Sequence, residues 1–542
     1  INLGTNTVSL TGSAISAGPV SISQSNLQAN GGNLNLGADT ISFRASTYAS
    51  LDAMEIIQNN LYALGDINLG NDLVTLSAGT SVTDSHSIDI TQTSFTGNNI
   101  SLGGDLIDLR AAQFNISNVY ISQSDLTAYG SVYDPHATIR INATGNISLG
   151  HADIIQQHIY SEQDILTSDP RHVNSPIAIT ADFVSIDHAS ISLASSTLGG
   201  VSLTGASIFQ DDININQNII DSAQKINTIG AASIIDDHTS ITIQSNAAGS
   251  ISDTGGVSIT QSNFGAQQNV IFDALTRSLT DTVVGGSVDI SNGLITVSAK
   301  SNISIGADVG ITNKNINLEQ TFIDSGRSNT TNLVGGSISA GNQSISINSN
   351  LTVGGDINLK NVAITQQNLN IAQVAELIAT SAPTNDNLSA TIGNIQLNNE
   401  AIVVKTSNAI TAGNIAIDQE NASISQSLIK VGDGGNTISA TNAPFINATN
   451  ESISLSASQI SIASANITQN AFTVGSGYIT AGTNAINLSA TGTLTETSAS
   501  GITQSNLVAG STINLGTNTV SLTGSAISAG NVGITQATLS GS

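Results

Sequence analysis

The sequence predicts an all-β protein, a parallel β-helix (β-solenoid) running as one continuous array over residues 1–542, and three observations carry that expectation. Short apolar alternations, Ile1-Asn2-Leu3, Val8-Ser9-Leu10 and Val20-Ser21-Ile22, are separated by Gly, Asn, Thr and Ser. A period of two turns one face of each run inward and the other toward water. The runs also return at a fixed interval: INLG at Ile1, LNLG at Leu34, INLG at Ile67 and ISLG at Ile100 follow one another at an even 33-residue spacing. Finally, one composition fills the chain, with 39% hydrophobic residues, 10 Phe, 7 Tyr and neither Trp nor Cys. Such a chain suits a narrow aliphatic core rather than several globular centres with aromatic anchors.

Taken in order, the elements support a stack of similar units. Val8-Ser9-Leu10, Ile41-Ser42-Phe43, Val74-Thr75-Leu76 and Ile107-Asp108-Leu109 repeat the 33-residue spacing. No run forms a stable sheet alone, but copies laid side by side bury their apolar row and pair their backbone groups. A period of this length fits one large coil or two small ones; with coils about 4.8 Å apart, roughly sixteen periods give a rod of about 80 or 160 Å.

A third element carries a recurring amide. It reads VSISQSNL at Val20, VYISQSDL at Val119, VSITQSNF at Val257, VAITQQNL at Val362 and ITQSNL at Ile502. Gln24, Gln58, Gln92, Gln123, Gln156, Gln261, Gln366, Gln426, Gln469, Gln504 and Gln536 each follow an apolar pair. Stacked amides there form a ladder that holds register and satisfies corner backbone groups. Fifty glycines, often as Gly-Gly, mark the corners, and VGDGGNTI at Val431 resembles half of a calcium-binding nonapeptide, a single copy without partners.

Four tracts interrupt the pattern and read as surface insertions: 127–146, 157–176, 265–284 and 371–392. The first is inferred because the next ISLG, at Ile147, comes well beyond the regular interval after Ile100. Within the last, IAQVAELIAT has helical spacing and stops before Ala382-Pro383, which predicts a short surface helix over 371–380. Loops on a solenoid face are where a binding site is sought first.

Charge excludes some functions. Twelve basic residues against 38 acidic ones leave a net charge of −26, and the isolated Arg and Lys residues provide no stripe for nucleic acid. No stretch approaches the roughly 20 apolar residues of a membrane helix. The opening residues lack a signal-peptide pattern, and the chain starts and stops within a repeat, as a section of a longer polypeptide would.

The one catalytic constellation to weigh is acidic. Asp182, Asp187-His188, Asp211-Asp212 and Asp236-Asp237-His238 recur at about 25 residues. Stacked carboxylates, with Asp212, Asp237 and His238 at the centre, are a candidate acid and base for a glycosidic bond. Asp is equally at home capping turns, and Lys225 is the single basic residue between Arg171 and Arg277. The seven histidines show no metal-ligand spacing, no G-x-S-x-G elbow is present, and the flat T-x-T rows of an ice-binding face are sporadic. The reading is therefore non-enzymatic, with no cofactor and no metal.

Runs such as GSAISAGPVSISQSNL, GGSISAGNQSISINSNLTVGGDINL and GTLTETSASGITQSNLVAGSTINL resemble the haemagglutination-repeat region of filamentous haemagglutinin-like adhesins, exported by two-partner systems, and related autotransporter passengers. The resemblance implies a right-handed β-helix at a bacterial cell surface, serving adhesion, aggregation or matrix building. Residues 1–18 return unchanged at 513–530, a 512-residue long period, and imply a giant protein of tandem units. The leading expectation is the shaft of an extracellular filament or adhesin that self-assembles end to end or laterally and meets a surface glycan or receptor. The alternative is a β-helix passenger that binds or cleaves polysaccharide.

Overall fold

The structure, a computed structural model, describes residues 1–542 apart from 71, 98–99, 102–105, 129–131, 135–137, 168–176, 181–183, 188–189, 197–199, 222–225, 231–232, 238–239, 246–248, 273–280, 285, 325–329, 335–336, 350–354, 380–386, 393, 433–436, 443–444, 451–452, 475–477, 482–483, 491–492, 497–499, 510–512, 515–517, 524, 529–531, 538–539 and 542. Among the described residues every regular element is a strand. The strands form a parallel β-solenoid of three long sheets, with a shorter fourth sheet at mid-chain.

One 33-residue period is one coil. In the third coil Ile67–Asn68 belongs to the first sheet, Leu73–Ala78 to the second, and Ser81–Asp84 with Ile88–Gly97 to the third. The chain then returns to the first sheet at Ile100, which lies in parallel register with Ile67. The first and second sheets each contain 13 strands, so the described residues make thirteen coils, counted from their first-sheet strands. At one strand spacing per coil they rise about 58 Å. This replaces the sixteen periods that uniform spacing suggests, because the coils are unequal.

Toward both ends the coils are narrow and keep a step close to the regular interval, as in Leu34↔Ile67, Ile100↔Val132 and Ile479↔Ile513. The fifth to tenth coils are wide, and their steps are half as long again or more, from Val132↔Val184 through Ile338↔Ile395 to Ile395↔Ile446. The added residues lengthen the third-sheet strands and supply the fourth sheet, Ile177–Thr180, Ile226–Gly230, Asp281–Val284, Thr330–Val334, Asn387–Ile392 and Thr437–Asn442.

The core is a set of aliphatic columns. Ile41, Val74, Ile191, Ile241, Ile295, Ile345, Ile402 and Ile453 on the second sheet are all buried, each covering its neighbour one coil away and contributing roughly 1.5–3 kcal/mol. Corners are tied coil to coil. Asn6 N–H donates to Asp39 Oδ1 (3.0 Å) and Asp39 N–H to Asp72 Oδ1 (2.8 Å). At Gly70 a Cβ would strike the backbone of Gly37 and Ala38 in the coil before.

Three expectations are corrected. Residues 127–146 contain no insertion: the step from Ile100 to Val132 is an ordinary coil, and Ile147 registers with Phe114 rather than Ile100. The I-x-L-G pattern therefore occurs at two places in a coil, which misaligned the count. Tracts 157–176, 265–284 and 371–392 do fall where coils widen, but their described residues are sheet strands. Among the described residues 371–379 no helix forms. The strand Val362–Ala379 runs through it, paired on one side with Val309–Asp324 and on the other with Ala409–Gly432. A neighbour on each side satisfies every backbone group outside the segment, which outweighs an ambiguous apolar spacing.

Candidate functional site

The feature that the fold builds with most repetition is a polar spine inside the core. Backbone register aligns Gln24, Gln58, Gln92, Gln123, Gln156, Gln210, Gln261, Asn313, Gln366, Gln419, Gln469, Gln504 and Gln536 in one third-sheet column, one residue per coil. Where the side chains are described they are buried, at 0% exposure for Gln58, Gln210, Gln261, Gln366 and Gln419. Gln58 donates to Gln24 (3.4 Å), Gln261 to Gln210 (3.0 Å) and Gln419 to Gln366 (2.9 Å).

Gln426 stands in a second column, with Gln163, Gln217, Gln268, Gln320 and Gln373. Gln268 donates to Gln217 (3.1 Å), Gln320 to Gln268 (2.9 Å) and Gln373 to Gln320 (2.7 Å). The sequence signal for this column is a second Gln at a constant short distance after the first-column residue in each wide coil, as in Gln261 and Gln268 or Gln366 and Gln373. Each amide also has a second proton to place. Gln320 Nε2 reaches Gly286 O (2.8 Å), Gln366 Nε2 reaches Gln343 O (3.0 Å) and Gln419 Nε2 reaches Glu400 O (3.0 Å). One proton thus runs along the stack and the other ties the third sheet to a facing corner.

A third array lies where these sheets meet. Asn292, Asn342 and Asn399 stack at 2.6 Å per bond, Asn315 donates to Asn368 at 2.7 Å, and Asn368 crosses to Asn399 at 3.2 Å. All five are completely buried. Within it Asn292 Oδ1 is buried without a partner, so the network fixes register while leaving one acceptor desolvated.

The acidic constellation is divided. Asp182, His188 and His238 lie outside the described residues. Asp212 is on the third sheet and Asp237 on the first, and the fourth-sheet strand Ile226–Gly230 separates them along the chain. Asp211 registers with Gln157 and Ser262, and Asp187 with Asp237. Asn26 and Asn60, each two residues past a column glutamine, have φ angles of 56° and 53°. Asn and Asp tolerate that left-handed region. The calcium-like segment falls largely in 433–436, outside the described residues.

A Ser, a His and an Asp do meet at one corner. Ser85 Oγ donates to Asp52 Oδ1 (2.8 Å), and His86 Nδ1 lies 2.7 Å from the same oxygen and 3.2 Å from Ser85 Oγ. A nucleophile relay needs the hydroxyl and the carboxylate on opposite ring nitrogens. Here both address Nδ1, which makes the trio a corner clasp. The Ser85 hydroxyl, ahead of the His86 charge, lowers the Asp52 carboxyl below its ordinary value. No group of three or more His, Cys, Asp or Glu side chains is placed to hold a metal among the described residues.

Two carboxylates interrupt an aliphatic column instead. Asp84 lies between Leu51 and Ile116, and Asp253 between Leu203 and Ile305. They are 2% and 1% exposed. Each Oδ1 accepts a backbone N–H, from His86 (2.9 Å) and Gly255 (2.9 Å), while each Oδ2 is buried without a partner. Burial raises both carboxyls, that of Asp84 to about 6.

Compared with known protein families, characterised proteins and solved structures, the chain matches none. Among the described residues no helix is long and apolar enough to cross a membrane.

Proposed function

We propose that the chain is the shaft of an extracellular bacterial filament or adhesin, a structural element rather than an enzyme, displayed at the cell surface for adhesion, aggregation or matrix building. The observation that carries this reading is the polar spine: thirteen consecutive positions of one column hold twelve Gln and one Asn. A column of that length specifies stacking and stiffness and offers no reactive group. The resemblance to filamentous haemagglutinin-like repeats and the tandem recurrence of residues 1–18 at 513–530 support the same reading. Because Ile1 and Ile513 are twelve coil steps apart, tandem units would continue the solenoid without a change of register.

Cryo-electron microscopy of the native, uncleaved polypeptide tests it. Long unbranched fibres with an axial spacing of about 4.8 Å and a repeat of about 58 Å per twelve coils are the expected result. Discrete short rods with one open groove that bind and turn over polysaccharide would overturn it.

A further inference from the structure

The surface charge of this acidic chain is sorted by face and by height. On the outward columns of the second sheet, Arg44 and Arg110 share one column with Ser77 between them, and Arg140 lies in the neighbouring column beside Asp108. Lys405 lies further up the Arg110 column. All four cations are exposed. One is spoken for: Arg110 Nη2 is 2.7 Å from Asp108 Oδ2. This face is therefore positive on a chain whose net charge is −26.

The third sheet is mainly acidic on its outward columns, although Lys314 lies in the Glu420 column two coils earlier and His151 Nε2 is 3.0 Å from Asp153 Oδ1. Glu55 and Asp89 are direct neighbours in one outward column, and Asp153 follows two coils later. Asp418 and Glu420 share the strand Ala409–Gly432. Like charges one strand spacing apart repel, and burial and Glu55 both raise the Asp89 carboxyl. An apposed cation relieves that repulsion.

Height is set by coil number. Arg44, Arg110, Arg140 and Lys405 fall in the second, fourth, fifth and tenth coils, and Glu55, Asp89, Asp153 and Asp418 with Glu420 in the second, third, fifth and tenth. No cation is more than one coil, about 5 Å, from an acid on the other face. We propose that the second sheet of one shaft packs against the third sheet of a second copy, with the two shafts parallel and in coil register. An antiparallel pair would set the second coil against the twelfth and separate the bands. Each exposed ion pair contributes about 0–1 kcal/mol, so contacts are weak singly and gain by repetition along a tandem array.

The inference rests on the shaft reading, and the two fail separately: single unpaired fibres would remove the packing and leave the shaft. Sedimentation velocity of the 542-residue chain at about 10 mM and 500 mM salt tests it, since screening shortens from about 30 Å to a few ångströms over that range. Lateral dimers and larger lateral assemblies at low salt, since each pair keeps one face of either kind free, and monomers at high salt are expected. R44E/R110E/R140E and E55K/D89K/D153K should each remove the dimer, and a one-to-one mixture of the two variants should restore a fast-sedimenting species. The second variant is less negative than the parent, so a pure net-charge effect would increase its association. That increase, no dimer at low salt, or antiparallel pairs in electron micrographs would each overturn the proposal. Circular dichroism of each variant establishes that the fold persists.

Discussion

Narrow and wide coils solve the same problem with different interiors. A narrow coil closes around aliphatic columns and one amide column: Gln24 and Gln58 are the buried amides of the first two coils. A wide coil encloses a broader section, and its buried polar residues multiply to include Gln210, Gln217, Gln268, Asn292, Asn315, Gln320, Asn342, Gln373 and Asn399. Lengthening a parallel strand brings in more backbone and more space between sheets. Amides that bond both along the stack and across to a corner fill that space while fixing register, which aliphatic side chains leave free to slip.

The sharpest way to break the comparison is to remove one amide from each kind of coil. Gln320 makes two ladder bonds and one corner bond, to Gln268, Gln373 and Gly286. Gln320→Leu leaves several buried groups without partners, at roughly 1–3 kcal/mol each, so a local loss of about 4 kcal/mol is expected. Gln24→Leu removes an acceptor that receives one 3.4 Å bond from Gln58 and an Nε2 without a partner, and is expected to cost about 1 kcal/mol. Amide hydrogen exchange, read coil by coil, measures both. Equal losses would show that the wide interior is not specially dependent on its amides.

A smaller effect separates the coils by pH. Asp84, in a narrow coil, replaces an aliphatic residue and has its carboxyl raised to about 6, against an ordinary unfolded value near 4. The groups around it are Asp52, whose charge raises it further, and His86, whose N–H and charge lower it. A raised carboxyl binds its proton more tightly when folded. The chain is therefore penalised above pH 6 by up to about 3 kcal/mol, and the penalty fades as pH falls from 6 toward 4. Asp84→Asn keeps the acceptor for His86 N–H and should stabilise the third coil at pH 7.5, with no difference from the parent at pH 4. A gain that persists at pH 4 would show that burial of the charge is not its source.

The sequence made the narrow coils legible and the wide ones only in part. The spacing of INLG, LNLG and INLG falls on true coil steps, since Ile1, Leu34 and Ile67 occupy one column. The third-sheet motif led to most of its amide column but passed over Gln210 and Gln419, whose flanks (IFQDD and IDQEN) differ from ISQSN. Widening broke the fixed interval, and with it the means of telling a first-sheet I-x-L-G from a third-sheet one. IAQVAELIAT shows why local pattern is insufficient: Ile371, Val374 and Ala375 suit a helix, yet Gln373 is buried against Gln320, a contact set by a residue 53 positions away. The inter-sheet Asn network lacks any local signal, because Asn292 and Asn315 belong to different sheets and meet only once the coil has closed.

The mildest test concerns the one place where the long amide column changes residue. Asn313 registers with Gln261 and Gln366 but is one methylene shorter. Its side chain is fully buried, and neither its Oδ1 nor its Nδ2 has a partner. The neighbouring bonds show what the extra length achieves, because Gln419 reaches both Gln366 Oε1 and a corner carbonyl. Asn313→Gln should therefore join the two halves of the column and stabilise the eighth coil by about 1 kcal/mol, the net value of one or two recovered hydrogen bonds less the entropy of a longer side chain. Asn313→Leu fills similar volume without the bonds and removes the orphaned groups as well. If ladder continuity governs stability the glutamine variant exceeds the leucine variant, whereas the reverse order would mean that dry packing, not the amide stack, holds the wide coils together.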